Sequence, residues 1–425
     1  MIWVVAVVGF PAAALAALAP EYRVVAGTCL LLLAILIGGD ALMRERALDG
    51  IRIELPELVR MFKERPAEIL VRVHNVSAMR IRVGVLVPDG IEAESEETDV
   101  ELPAKVSEFV WKWTAHRRGS YRVDTVFLEA ISTWGMWQVR RKDPVAMEVR
   151  VYPNLRRNDD LKALRQGVSG VHAMRQVGRG REFEKLREYL PGDGFDEIHW
   201  KATARRGRPI TKVFQVERTQ EVYVVIDRSR LSARAVGEET TLERQIAASL
   251  IVGAAAEKRG DLFGLAAFSD TLDAFVRARN GKAHYAALRD AIYQLHPKAV
   301  TPDFDEIATF LRLRLRRRAM VLFLTQLDDP VLAENFARAT KLLARRHLVL
   351  AGMLRPVSAT RLFEGDVETA EDVYRDLAGH IAWRRLKELE ASLARQGVRL
   401  SVIDPEGFSS ALIGIYDSVK QRQLL

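Results

Sequence analysis

The pattern of apolar and polar residues divides this chain into three unlike parts. Residues 1–20 contain no charged side chain, and a second uncharged run covers residues 24–39. Between about residue 51 and residue 152, short stretches alternate apolar and polar positions. From residue 219 onward, apolar runs alternate with helical stripes. Because 425 residues exceed what one hydrophobic core usually serves, the pattern predicts a modular protein.

The two uncharged runs predict a transmembrane helical hairpin over residues 1–45. The first run is about long enough to cross a bilayer as a helix, and the second is at the short end of the usual range. A cleaved signal peptide is the alternative, although the amino terminus lacks the positive charge that such peptides carry. Arg44, Arg46 and Arg52 follow the second run, so the positive-inside rule predicts that the large carboxyl-terminal part lies in the cytoplasm.

Residues 51–152 predict a β-sandwich domain. Apolar and polar positions alternate in residues 69–73, 81–85 and 109–113, and Pro, Gly and Asp lie between such runs. Trp134 and Trp137 belong to an aromatic-bearing turn, which we interpret as packing and not as a ligand patch. This part shows no catalytic constellation.

Residues 219–425 predict an open, mostly parallel α/β sheet. Residues 222–226 form a nearly continuous apolar run, typical of a central strand that is covered on both faces. Thr240 and Glu243 have the spacing of a capping box, and an amphipathic helix follows them. Further strands are expected at residues 262–268, 319–324, 347–353 and 398–403, with a short edge strand at 272–276.

The positive charge is concentrated between the two globular parts. The formal net charge is +8, and residues 140–218 contain 19 Lys and Arg against 11 Asp and Glu. The rest of the chain therefore contains equal numbers of positively and negatively charged residues. We interpret residues 153–218 as a basic connecting segment. Its charge fits a solvated face or a surface for an acidic protein, anionic lipid or nucleic acid. The single cysteine, Cys29, excludes an internal disulfide.

Residues 181–209, REFEKLREYLPGDGFDEIHWKATARRGRP, carry a resemblance to a known family. The pattern resembles the bacterial family called domain of unknown function 58. The residues that match are Arg187, Glu188, Tyr189, Pro191, Gly192, Asp193, Ile198, Trp200, Lys201, Ala202, Ala204 and Arg205. Asp196 stands where that family frequently has Arg, and His199 where it frequently has Asp. Roles that need a cation at 196 or a carboxylate at 199 are therefore not expected.

The resemblance implies a layout and a partner. The layout is a membrane hairpin, a β domain, this segment and a von Willebrand A-like α/β domain, in the bacterial inner membrane with the soluble parts in the cytoplasm. The implied partner is a MoxR-type AAA ATPase. We expect the partner-binding residues to be Arg187, Glu188, Tyr189, Asp193, Trp200, Lys201 and Arg205. The alternative is that Glu188, Asp193 and Arg205 pair within the chain and brace the turn at Pro191 and Gly192.

Von Willebrand A domains often bind a divalent ion where loops meet at the carboxyl ends of the strands. The candidate ligands here are Asp227, Ser229 and Thr301. Leu231 and Gln326 stand where metal-binding relatives offer side-chain oxygens, which Mg²⁺ requires. We therefore predict a degenerate ion site, no bound cofactor, and a buried, hydrogen-bonded carboxylate at Asp227.

Three function classes follow from the sequence. The first is a membrane-anchored, non-enzymatic adaptor or scaffold that works with a MoxR-type AAA ATPase in assembling or activating protein complexes. The second is a metal-dependent adhesion-type module. The third is an enzyme that acts on nucleic acid, suggested only by the basic charge and the α/β sheet. Because the chain has no Gly-rich phosphate-binding loop with Lys and Ser or Thr, we expect no nucleotide hydrolysis. Separately, we expect no nucleic-acid partner.

Overall fold

The computed structural model divides the chain into two compact units, residues 1–154 and residues 155–425. Each unit is described by itself below. The described residues are 7, 9–18, 23–44, 48–75, 79–103, 105–131, 137–155, 160, 162, 165, 177–178, 182–190, 194–195, 198–215, 219–237, 239–362 and 369–422.

The first unit begins with two helices, α1 (Phe10–Leu18) and α2 (Arg23–Arg44). Residues 23–40 of α2 are long and apolar enough to cross a membrane. The two helices contact each other along a shared crevice that is lined by Gly9, Phe10, Ala13, Leu30, Leu33, Ala34 and Ile37. The second apolar run therefore forms a membrane-compatible helix, longer than the sequence indicated. The expected span over residues 1–20 lies only partly within the described residues.

Two sheets form the rest of the first unit. One sheet has the strand order β1-β3-β7-β5 and the other has the order β2-β9-β8-β4-β6. Neighbouring strands are antiparallel except for the parallel pair β2 and β9. The strands are β1 (Arg52–Glu54), β2 (Leu58–Phe62), β3 (Pro66–Asn75), β4 (Met79–Val85), β5 (Ile91–Ala93), β6 (Glu97–Leu102), β7 (Lys105–Ala115), β8 (Gly119–Ile131) and β9 (Gln138–Tyr152).

Alternate residues of both sheets enter one hydrophobic core. Val71 and Trp113 from the first sheet are fully buried, as are Val83, Val126 and Val149 from the second. The three alternating segments that the sequence indicated lie within β3, β4 and β7. Period-two alternation identified these strands because each one buries a single face.

The second unit begins with a small antiparallel sheet in the order β10-β12-β11. Its strands are β10 (Val177–Gly178), β11 (Glu182–Glu188) and β12 (Ile210–Gln215), and the short helix α3 (Trp200–Arg206) lies between β11 and β12 in the chain. Most of the segment that we interpreted as a connection, residues 153–218, therefore groups with the α/β unit.

The main sheet of the second unit has six strands in the order β17-β16-β13-β18-β19-β20. Five strands are parallel, and the edge strand β17 is antiparallel to β16. The strands are β13 (Glu221–Asp227), β16 (Leu262–Phe268), β17 (Leu272–Arg279), β18 (Ala319–Leu324), β19 (Leu348–Leu354) and β20 (Val398–Ile403). The two-residue strands β14 (Ala235–Val236) and β15 (Glu239–Thr240) pair with each other in a separate antiparallel sheet. The expected open, mostly parallel α/β sheet is present.

Helices cover both faces of this sheet. The helices are α4 (Thr241–Lys258), α5 (Lys282–Ile292), α6 (Phe304–Arg314), α7 (Pro330–Ala344), α8 (Ala370–Arg395) and α9 (Phe408–Gln421). Val224 of β13 packs into the core with α4, α5 and α9, whereas its neighbour Val225 packs into the core with α6, α7 and α8. Burial on both faces explains the continuous apolar run in β13.

Candidate functional site

The family-like segment of residues 182–215 is built on the pairing of β11 with β12. Glu188 is opposite Ile210 at the end of this pairing. Beyond it, the Tyr189 amide donates to the Pro209 carbonyl at 3.0 Å, and the His199 amide donates to the Ile210 carbonyl at 2.7 Å. Ile198 and Ile210 are buried. These contacts fix both ends of the residue 189–209 segment to the small sheet.

Helix α3 is capped at both ends by residues of the same segment. The His199 ring atom Nδ1 accepts a hydrogen bond from the Ala202 amide at 3.1 Å. Gly207 has φ 69°, in the left-handed region, and its amide donates to the Thr203 carbonyl at 2.9 Å. A histidine nitrogen therefore fills the N-cap position that Asp often occupies, which gives the departure at residue 199 a structural explanation.

Large apolar side chains of this segment are exposed to solvent. Phe195 is 77% exposed, Trp200 is 67% exposed and Leu190 is 57% exposed. The Tyr189 and Phe195 rings stack, with centroids 6.4 Å apart and an interplanar angle of 30°. Two exposed aromatic rings this close in sequence are typical of an interaction surface.

Exposed cations accompany these aromatic rings. Lys201 and Arg205 are exposed on α3, and neither forms an ion pair with another described residue. Glu188 is paired with Arg208, with Nη1 2.6 Å from Oε1, and both side chains are more than 60% exposed. The Arg187 guanidinium donates to the Glu188 carbonyl at 3.4 Å.

These contacts bear on the internal brace that the sequence suggested. The sequence grouped Glu188, Asp193 and Arg205 in this brace, whereas the structure pairs Glu188 with Arg208. Asp193 and the turn at Pro191 and Gly192 lie outside the described residues. Sequence reasoning did not single out Phe195 as a binding residue, although an aromatic residue after a Pro-Gly turn is a visible signal.

The second candidate site lies at the carboxyl end of β13. The Asp227 side chain is 1% exposed. Its Oδ1 accepts from the Ser229 amide at 2.8 Å, and its Oδ2 accepts from the Thr325 hydroxyl at 2.6 Å. Burial raises the pKa of Asp227, and its hydrogen bonds with Thr325 and Ser229 oppose that rise. Both carboxylate oxygens are therefore used within the protein.

The remaining expected ion ligands are placed differently. Ser229 is buried next to Asp227, and its hydroxyl accepts from the Leu231 amide at 3.4 Å. Thr301 is exposed. Asp328, two positions after Gln326, is held by Arg234, whose Nη1 is 2.8 Å from each carboxylate oxygen. In the described part of the chain, no group of three His, Cys, Asp or Glu side chains could hold a metal ion.

Comparison with known proteins bears on the same residues. Residues 185–373 match the family described as "Protein of unknown function DUF58". The DUF58 match includes β11 from Lys185 onward, α3, and the carboxyl end of β13. It confirms the family resemblance over this segment.

Relatives of the chain are uncharacterized proteins. "Uncharacterized protein Rv1480" of Mycobacterium tuberculosis (strain ATCC 25618 / H37Rv) is 26% identical over 186 residues, which are 43% of this chain and 58% of that protein. "Uncharacterized protein YeaD" of Bacillus subtilis (strain 168) is 28% identical over 136 residues, which are 32% of each protein. The matched segment thus covers little more than half of the first relative and a third of the second.

Two solved structures show weak likeness to parts of this chain. "Crystal Structure of the SpRpn10 VWA domain" has a TM-score of 0.29 and 11% identity, covering 46% of this chain and 95% of that chain. "ASH / PapD-like domain of human CEP192 (PapD-like domain 7)" has a TM-score of 0.18 and 8% identity, covering 24% of this chain and 86% of that chain.

Proposed function

We propose that this protein is a membrane-anchored, non-enzymatic adaptor that binds another protein through residues 187–205. The observation that carries the proposal is the exposure of Phe195 and Trp200 within the DUF58 match. We call the side chains of Leu190, Phe195, Trp200, Lys201 and Arg205 the signature surface.

The signature surface has the composition of an interface centre. A few aromatic and arginine side chains usually dominate the energetics of protein interfaces. Covering Phe195 and Trp200 removes apolar area from water, and Lys201 and Arg205 favour a partner with carboxylates at the same place. The backbone contacts of Tyr189 and His199 hold the segment in place before binding, which reduces the entropy that binding would cost.

The class of partner comes from the family resemblance, which implies a MoxR-type AAA ATPase. In this proposal α1 and α2 anchor the protein as a hairpin in the bacterial inner membrane, and the body faces the cytoplasm. The two-sheet unit acts as a β-sandwich, and the α/β unit acts as a von Willebrand A-like domain. Partner binding then brings the ATPase to the membrane, where the adaptor assists in assembling or activating other protein complexes.

The test measures binding of the detergent-solubilised full chain to a purified MoxR-type ATPase from the same organism. Trp200→Ala combined with Arg205→Ala should raise the Kd at least about thirtyfold, since hot-spot truncations cost about 2 kcal/mol or more. The melting temperature should stay nearly unchanged, because both side chains are exposed. Arg205→Lys should also weaken binding, since Lys lacks the planar fork that pairs with a carboxylate.

The matched control is Val357→Ala combined with Arg375→Ala, two exposed positions outside the signature surface. This variant should bind normally. An unchanged Kd for the Trp200 and Arg205 variant would refute the docking proposal. A large fall in its melting temperature, with loss of binding in proportion, would instead identify the segment as an internal brace.

A further inference from the structure

A cluster of exposed arginines lies where α6 and α7 end, outside the signature surface. The Arg346 guanidinium donates to the Arg316 carbonyl at 2.6 Å, so the end of α7 is joined to the loop that follows α6. We call this region the basic edge. Its exposed cations are Arg312, Arg314, Arg316, Arg317, Arg318, Lys341, Arg345 and Arg346.

The basic edge has a large local excess of positive charge. Residues 307–327 contain five arginines and no acidic residue, and residues 339–354 contain three Lys and Arg and no acidic residue. Burial lowers the pKa of His347, and the nearby charges of Arg346 and Arg318 lower it further. The cations thus act together on a neighbouring group. The carboxyl ends of α6 and α7 favour cations here, but so many like charges also repel one another unless anions lie nearby.

Exposed leucines lie among these cations. Leu313 is 76% exposed in the last turn of α6, and Leu342 is 49% exposed in the last turn of α7. Their neighbours in the two helices, Leu311 and Leu343, are buried in the core. An apolar side chain that projects between arginines is suited to the boundary between lipid headgroups and acyl chains.

We propose that the basic edge binds the surface of a bilayer that contains anionic phospholipids. The arginines contact headgroup phosphates, and Leu313 and Leu342 insert beside them. The leucines favour a membrane over a nucleic acid, whose bases would stack on exposed aromatic rings. The inference draws support from the proposed membrane anchor, since α2 would hold the rest of the chain near a bilayer.

The experiment uses the full chain in proteoliposomes. Cys29 is the only cysteine, so Cys29→Ser provides a background in which a single new cysteine carries a fluorophore. The label is placed at position 313 through Leu313→Cys, and a quencher is attached to the lipids. The matched control is Val331→Cys, which is 67% exposed near the opposite end of α7.

We expect lipid quenching of the label at 313 in vesicles that contain phosphatidylglycerol, and its loss in pure phosphatidylcholine vesicles or at high ionic strength. Arg316→Ala combined with Arg317→Ala should also reduce it. The label at 331 should remain unquenched. Equal quenching at the two positions, or equal quenching in both kinds of vesicle, would overturn the proposal.

Two further measurements distinguish lipid binding from nucleic-acid binding and from failure of the anchor. The first is binding of a fluorescent single-stranded DNA to the detergent-solubilised chain. If this DNA binds, if the two alanine substitutions abolish its binding, and if the label at 313 stays unquenched in vesicles, the edge binds nucleic acid and the lipid proposal is refuted. Failure of the anchor would show as a chain that does not float with phosphatidylcholine vesicles. Such a chain should still float with phosphatidylglycerol vesicles through the basic edge, and failure to do so would refute the proposal.

Discussion

Replacing Asp227 tests whether its carboxylate stabilises the fold or binds an ion. The side chain is almost completely buried, and its two oxygens accept from the Ser229 amide and the Thr325 hydroxyl. Thr325 follows β18, the strand beside β13, so this carboxylate links two neighbouring loops. Asp227→Ala should therefore destabilise the protein without changing any affinity for Mg²⁺.

The size of the effect follows from the donors that lose their acceptor. Asp227→Ala leaves the buried amide of Ser229 and the hydroxyl of Thr325 unpaired, and each buried unpaired group costs about 1–3 kcal/mol. Because the hydroxyl can rotate toward another acceptor, we expect a total loss of about 2–4 kcal/mol. Asp227→Asn keeps an acceptor for the amide and an amide group that can donate to Thr325. Its cost should be below about 1 kcal/mol at neutral pH.

The assay is chemical unfolding of the detergent-solubilised full chain with and without Mg²⁺, accompanied by calorimetric titration. We expect the Ala variant to lose several times more stability than the Asn variant, and Mg²⁺ to stabilise neither the native chain nor the variants. A saturable Mg²⁺ site at micromolar affinity that both substitutions abolish would refute the reasoning. It would also favour the adhesion-type function.

The pH dependence provides an independent check. Burial raises the pKa of Asp227 above its ordinary value of 3.8. At a pH between 3.8 and the raised pKa, Asp227 holds a proton in the folded protein that it has released in the unfolded chain. The contribution of this group to stability therefore falls as the pH rises through that window. The native chain should lose stability relative to the Asn variant from pH 3.8 upward. A difference between the two that does not change with pH would contradict the burial argument.

Three further predictions concern other parts of the chain. Hydrogen bonds to Glu92 and Glu64 raise the pKa of His116. In thermal unfolding, His116→Gln should therefore destabilise the protein below about pH 6.5, and the loss should shrink as the pH rises through the raised pKa. Gly264→Ala should lower the free energy of unfolding by about 1–3 kcal/mol, because its Cβ would lie 2.4 Å from a Tyr223 ring carbon. A Cβ at Gly414 meets no atom within 4 Å, so Gly414→Ala should stabilise α9 by up to about 1 kcal/mol. A green fluorescent reporter fused to the carboxyl terminus should fluoresce, and activity of a fused periplasmic phosphatase would show that the predicted orientation is wrong.

The sequence alone predicted those helices and strands whose apolar and polar pattern can be recognised within one short stretch of the chain. The apolar run at residues 222–226 predicted the central strand, because a strand covered by helices on both faces has no polar face. The edge strand from residue 272 and the N-cap at Thr240 were also visible. Each of these features depends on neighbouring residues, so the local pattern was sufficient.

Tertiary structure decided which of these residues meet. Thr325 lies 98 positions from Asp227 and bonds to it because β18 lies next to β13 in the sheet. Glu188 pairs with Arg208 and not with Arg205, because the pairing of β11 with β12 brings the ends of those strands together. The basic edge forms because α6 and α7 end side by side. Periodicity reports which face of an element is buried, but strand order and helix packing determine its neighbours, and those depend on contacts between residues far apart in the chain.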